Sequence, residues 1–219
     1  MLNLPNQYPK HANMKTIRIL SFIIIVCLQS CALKKYEYNY TLKKPKESTS
    51  LNFSDELIRV DFIINQSDIA FKIENRTEKP MKIIWDEASF VNDGEAQKII
   101  HKNVKYIDRE KTQAPTVIPP KSFVNEVVQP IDDIRFNTYS YGKHYYAYWS
   151  TKPLFPTSFN YNKSEKKQMD ALKQLKGKKI NIYIPIVYDG QTKDYYFEFE
   201  ITDINIRYSR KKVESIFTQ

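Results

Sequence analysis

The chain has 219 residues, with 34 Lys and Arg against 25 Asp and Glu, and a formal net charge of +9. Only four glycines occur (Gly94, Gly142, Gly177 and Gly190), and neither GxGxxG nor GxxxxGK[ST] is present, which excludes Gly-rich phosphate loops. Two cysteines (Cys27, Cys31) and three scattered histidines (His11, His101, His144) give no metal-ligand spacing, and no G-x-S-x-G elbow is present, so no cofactor, metal or catalytic residue is expected.

Residues 1–13 are polar and hold Pro5 and Pro9 upstream of a second methionine, Met14, which is the simplest true start, with an extended n-region as the alternative. After Met14-Lys15-Thr16-Ile17-Arg18 comes a ten-residue apolar run, ILSFIIIVCL (19–28). A short basic stretch before such a run is the layout of a secretory signal peptide, whereas a spanning helix needs about 20 apolar residues. Leu28-Gln29-Ser30-Cys31 resembles the bacterial lipobox, with Gln29 departing from the usual small residue. Residues 1–30 are therefore expected as a signal peptide. Cleavage after Ser30 leaves Cys31 as the acylated first residue, and Cys27 departs with the signal. A plain signal cleaved near Ala32, or an uncleaved anchor, is the alternative. Losing Lys10, Lys15 and Arg18 lowers the net charge from +9 to +6. Ala32, where an inner-membrane retention Asp would stand, points to the outer membrane, and the lack of acidic residues directly after Cys31 points to its periplasmic face. An exported protein without a nucleic-acid-binding motif is not expected to meet DNA or RNA.

Residues 31–50 carry Lys34, Lys35, Lys43, Lys44 and Lys46 against Glu37 and Glu47, and read as a flexible lipid-anchored tether. Strand signals follow from about residue 51. Ile58, Val60, Phe62 and Ile64 alternate with polar residues, as do Ile69, Phe71 and Ile73, with Asn65-Gln66-Ser67-Asp68 as the turn between. Further strands are expected over 81–85, 89–92, 96–101 and 122–129. Near the C-terminus Ile180, Ile182, Ile184 and Ile186 alternate, Asp189-Gly190 follows, and Tyr195, Phe197, Phe199 and Ile201 alternate in turn. Asp-Gly between such runs predicts a two-residue type I′ hairpin. That loop pairs Tyr188 with Gln191, and hence Ile184 with Tyr195, Ile182 with Phe197 and Ile180 with Phe199. Pro185 cannot donate to a ladder and predicts an edge there. The parity flips after Thr202 to Ile204, Ile206 and Tyr208, which predicts a bulge or sheet change near Asp203. One helix is expected over 165–176, capped by Ser164, with Met169, Leu172 and Leu175 on one face and Gly177 at its end. About eight strands with a turn every ten or so residues predict an all-β fold, an antiparallel β-sandwich with one short helix over residues 51–209, followed by a short tail (210–219).

The stretch ENRTEKPMKIIWDEASFVNDGEAQKIIHKNVKY (74–106), then TVIPPKSFVNEVVQP (116–130), PLFP (153–156) and the terminal YYFEFEI strand, resembles a group of bacterial lipoproteins. Their shared pattern is N-x-T-x-x-P, an apolar strand ending Trp-Asp, then Ser-Phe-Val, a His strand and an IPP turn. The resemblance implies an immunoglobulin-like β-sandwich and brings no activity or catalytic residue with it.

Trp85 is expected as a core plug, Asp86 as the cap of the following turn, His101 as a hydrogen-bonded structural residue, and Asp132-Asp133 as a turn. The Asn-x-Ser/Thr sites, Asn75 among them, read as the noise of Asn-rich turns. The candidate binding residues are Tyr139, Tyr141, Tyr145, Tyr146, Tyr148 and Trp149, placed in one long connection between Gln129 and Ser164. Flat rings with polar tips suit protein interfaces and can stack on sugars, or half of them fold back as a lid over one end of the sandwich. The expected activity is thus a non-catalytic binding or scaffolding module in the cell envelope. Its partners would be a membrane through the lipid on Cys31 and an envelope protein or glycan. A structural accessory subunit is the second reading. A hydrolase would need His101, His144, Asp86 and the Asp132/Asp133 pair gathered in one cleft.

Overall fold

The computed structural model describes residues 32–160 and 163–210, so the expected signal peptide, Cys31 and the tail beyond residue 210 lie outside the described residues. Among the described residues the fold is all-β and antiparallel, with one α-helix. The strands are β1 (Ala32–Lys44), β2 (Asn52–Ser54), β3 (Ile58–Ile64), β4 (Ile69–Asn75), β5 (Met81–Ile83), β6 (Ser89–Asn92), β7 (Glu95–His101), β8 (Thr116–Ile118), β9 (Phe123–Pro130), β10 (Ile134–Tyr141), β11 (His144–Thr151), β12 (Lys179–Tyr188) and β13 (Gln191–Arg210). All eight predicted strand positions are strands. The five additions are β1, β2, β8, β10 and β11.

One layer runs β1, β13, β12, and then β6 and β5 share the far edge of β12, with β8 beyond β5. The other layer runs β7, β9, β4, β3, β2. Strand β7 joins them: residues 95–98 pair with β6, and residues 99–101 pair with β9. The inward faces are those the alternation predicts. Ile58, Val60, Phe62, Ile69, Phe71 and Ile73 bury against Ile180, Ile182, Ile184, Phe197 and Phe199. Phe62 meets Phe197 at 4.8 Å and Phe199 at 5.0 Å between centroids, both edge-on, the favoured aromatic geometry.

The C-terminal hairpin has the predicted register at every pair from Lys179 with Glu200 to Tyr188 with Gln191. Its turn residues both have positive φ (Asp189 51°, Gly190 77°), as type I′ requires. The bulge is at Thr202. Asn39 pairs with Asp203 and Tyr40 with Ile201, so Thr202 is left over, and its hydroxyl donates to the Asn39 carbonyl at 3.2 Å.

Three expectations are corrected. Residues 32–44 are not a tether but β1, paired with β13 along its length. Tyr36, Tyr38, Tyr40 and Leu42 fall on alternate positions, and Leu42 is fully buried against the core. Pro185 is not at an edge, since β12 has neighbours on both sides. It sits where β6 has ended and β5 has not begun, so no ladder bond is lost, and its carbonyl accepts the Ile84 N–H at 3.1 Å. The helix, α1 (Glu165–Lys173), is shorter than expected; it buries Leu172, and Gly177 takes a φ of +84° in the turn that follows.

A carboxylate clasps the two layers together. Asp55, between β2 and β3, accepts the N–H groups of Leu57 (2.9 Å) and Ile58 (2.8 Å), and from β13 the Lys193 ammonium and the Tyr195 hydroxyl (2.9 Å each). Burial by itself pushes the Asp55 carboxyl up, but these four donors outweigh it and hold the group below its ordinary value. A carboxylate depressed in the folded state stabilises fully above its unfolded pKa of about 3.9, and that contribution is lost as pH falls through the lower folded value. Asp55→Asn is therefore expected to cost roughly 2 kcal/mol at pH 7. It should also flatten the fall in stability below about pH 4. Urea titrations across pH check this, and an unchanged slope would contradict it.

Candidate functional site: an aromatic hairpin

The tyrosine-rich stretch is not a loop. β10 and β11 pair over their whole length, from Ile134 with Thr151 to Tyr141 with His144, as a separate two-stranded sheet. The connecting dipeptide is Gly142-Lys143. Gly142 has a φ of +60° and Lys143 has none in the positive range, which is the II′ pattern with glycine first.

The base of the hairpin is apolar. Ile131, in a 3-10 turn (Ile131–Asp133), and Ile134 bury against Ile100, with Val104, Tyr106 and Trp149 packed around them. Trp149 meets Tyr106 edge-on at 5.9 Å and Phe136 at 5.0 Å, and the Arg109 guanidinium lies 5.3 Å above its ring. Trp149 is thus the half-buried footing of the hairpin rather than a free contact.

Beyond that footing the ribbon is exposed. The five tyrosines range from 44 % exposed (Tyr146) to 77 % (Tyr141), so none of them folds back as a lid. Because side chains alternate, Tyr139, Tyr141, His144, Tyr146 and Tyr148 share one face, and Phe136, Tyr145, Ala147 and Trp149 share the other. On the first face Tyr139 stacks on Tyr146 at 4.9 Å with 13° between planes, and Tyr148 meets Tyr139 edge-on at 6.2 Å. Residues 134–151 carry Arg135 and Lys143 and no carboxylate. The site is a cationic, ring-studded ribbon with one rooted end.

The residues that a hydrolase would need are not gathered. His144 is at the hairpin tip, Asp132 and Asp133 are in the turn at its root, and His101 is in the sandwich. Among the described residues none of these hydrogen-bonds to another, and no group of three His, Cys, Asp or Glu side chains could hold a metal ion. Trp85 is the expected plug, fully buried and stacked on His101 at 4.7 Å and 7°. Its Nε1 donates to the Thr116 hydroxyl at 2.8 Å, and that hydroxyl lies 3.4 Å from the buried Glu126 carboxylate, whose other oxygen is 3.6 Å from His101 Nδ1. Asp86 does not cap its own turn. It accepts the backbone N–H of Gln113 at 3.0 Å, while Gln113 ties down β7 by accepting the His101 N–H and donating to the Ile99 carbonyl.

Compared with protein-family models, curated proteins and solved structures, the chain matches none.

Asn75, read from sequence as part of a turn, has a larger role. It is fully buried, and its Nδ2 faces the carbonyls of Lys79 (2.8 Å), Ile118 (3.1 Å) and Pro119 (3.1 Å), while its Oδ1 accepts the Thr77 N–H at 2.9 Å. The N-x-T-x-x-P and IPP motifs therefore meet in space through one amide. Their co-occurrence in the resemblance pattern was the only signal that could have found it.

Proposed function

We propose that this protein is a lipid-anchored, non-catalytic binding module of a bacterial cell envelope, held by Cys31 to the periplasmic face of the outer membrane. In this reading the β10–β11 hairpin grips a protein partner. The observation that carries it is a ribbon of five exposed tyrosines, free of carboxylates, standing clear of a sandwich that needs none of them for its core. Exposed aromatic clusters of this kind mark interaction surfaces, and tyrosine supplies contact area at little entropic cost. Rings that pack face to face and edge to face against one another offer no flat tray for a sugar, which favours protein over glycan.

The test is capture from detergent-solubilised membranes with the full chain as bait. The triple variant Tyr139→Ser, Tyr141→Ser, Tyr148→Ser is expected to lose the captured partner by at least about tenfold with unchanged circular dichroism. Cys31→Ser is expected to move the chain from the membrane to the soluble fraction. Undiminished capture by the triple variant ends the hairpin assignment, and membrane retention of Cys31→Ser ends the lipid assignment.

A further inference from the structure

We propose that the hairpin is also a self-association element: β11 pairs antiparallel with β11 of a second copy, about a two-fold axis at Tyr146, to make a continuous four-stranded sheet. This rests on the reading of the hairpin as a binding element.

The outer edge of β11 is unpaired among the described residues. With a two-residue turn, Tyr141 and His144 form a hydrogen-bonded pair, so Tyr139 with Tyr146 and Asn137 with Tyr148 do too. The intervening residues Tyr145, Ala147 and Trp149 then turn their N–H and C=O groups to the outer edge, where among the described residues no strand pairs with them. Residues 144–149 contain no proline, lysine or carboxylate, so none of the usual devices guards this edge. A two-stranded ribbon is also marginal in water, and three or more strands are needed for independent stability.

The edge is complementary to itself in one register. Centring the two-fold axis on Tyr146 sets Tyr145 against Ala147 of the second copy, and Ala147 against its Tyr145. Both are outward-facing residues, so each pair can exchange two hydrogen bonds. A large ring then lies beside a methyl on each side of the axis, and His144 falls opposite Tyr148, with no like charges facing. The outer edge of β10 is a poorer candidate, because its outward residues are Phe136, Thr138 and Ser140, with apolar mass at only one. An isologous contact of this type closes at two copies. It would also join the two tyrosine faces into one surface.

Two measurements on the full-length chain in detergent decide it. Sedimentation equilibrium is expected to give a dimer for the native chain and a monomer for Ala147→Pro, whose lost N–H points away from β10 and so spares the hairpin. In a chain carrying Cys27→Ser and Cys31→Ser, Tyr146→Cys is expected to give a covalent dimer on mild oxidation. Residues opposed at a non-hydrogen-bonded position have Cα atoms about 4.5 Å apart, within disulfide reach. Tyr141→Cys in the same background is expected to give no covalent dimer. A monomeric native chain, or equal cross-linking of Tyr141→Cys, overturns the proposal. So does an edge occupied only when another protein is present, which assigns it to that partner. The two readings fail separately: a native monomer that still captures a partner through its tyrosines defeats the dimer alone, and a dimer whose triple variant keeps its partner defeats the partner site alone.

Discussion

Trp85→Ala is expected to lower the unfolding free energy by about 4 kcal/mol, a large share of the roughly 5–15 kcal/mol typical of a domain. Three losses combine. The largest fully buried side chain of the core disappears and leaves a cavity between the layers. The His101 imidazole loses the ring stacked on it at 4.7 Å. Thr116 loses the indole donor at 2.8 Å, beside a buried Glu126 whose Oε2 already lacks a hydrogen-bond partner. Trp85→Phe refills most of the volume but not the hydrogen bond, so about half the loss is expected from that variant. Urea denaturation checks both. A shift below about 1 kcal/mol for Trp85→Ala would show that the site collapses around the gap.

Asn75→Asp changes almost no volume and is expected to be as damaging, at about 4 kcal/mol. The amide donor would become a carboxylate oxygen facing three carbonyl oxygens, on a side chain that is fully buried. The acid can escape only by protonation, which raises its folded pKa above the unfolded value. The loss should therefore be greatest at neutral pH and shrink as pH falls towards about 4. Asn75→Ala leaves the same carbonyls unpaired without adding a charge and should cost about 2 kcal/mol at every pH. Equal pH dependence of the two variants would contradict the assignment of the donor to Nδ2.

The contrast between the two ends of the chain shows what a linear pattern can carry. In the β12–β13 hairpin, polar–apolar alternation and an Asp-Gly turn give the same register, so pairing could be read residue by residue. In β1 the alternation of Tyr36, Tyr38, Tyr40 and Leu42 is equally regular, but five lysines within 31–50 made the segment look solvated. It pairs as an outer strand, where alternate positions are free to carry charge. The β10–β11 hairpin hid for a different reason. Its strands carry aromatics on both faces because neither face covers the core, so no period of two survives, and the Gly142-Lys143 turn lacked flanks to identify it. Pro185 misled because the rule against proline in central strands assumes an unbroken neighbour. The contacts around Trp85 and Asn75 join residues tens of positions apart, and only the folded chain brings them together. Of the candidate binding residues, the five tyrosines are exposed, whereas Trp149 is the footing of the hairpin.

The pairing of β1 bears on how the protein carries load. The strand begins at Ala32, one residue after the cysteine proposed to carry the lipid, and runs antiparallel to β13. A pull on that end is directed along the strand, at right angles to the hydrogen bonds of the ladder. The pairs must then slide together in shear instead of opening one after another from the end. If Cys31 is acylated as proposed, the domain would stand on a stiff stalk, its height above the bilayer fixed by strand length, and the tyrosine hairpin would be held at a set distance rather than sweeping the surface on a leash.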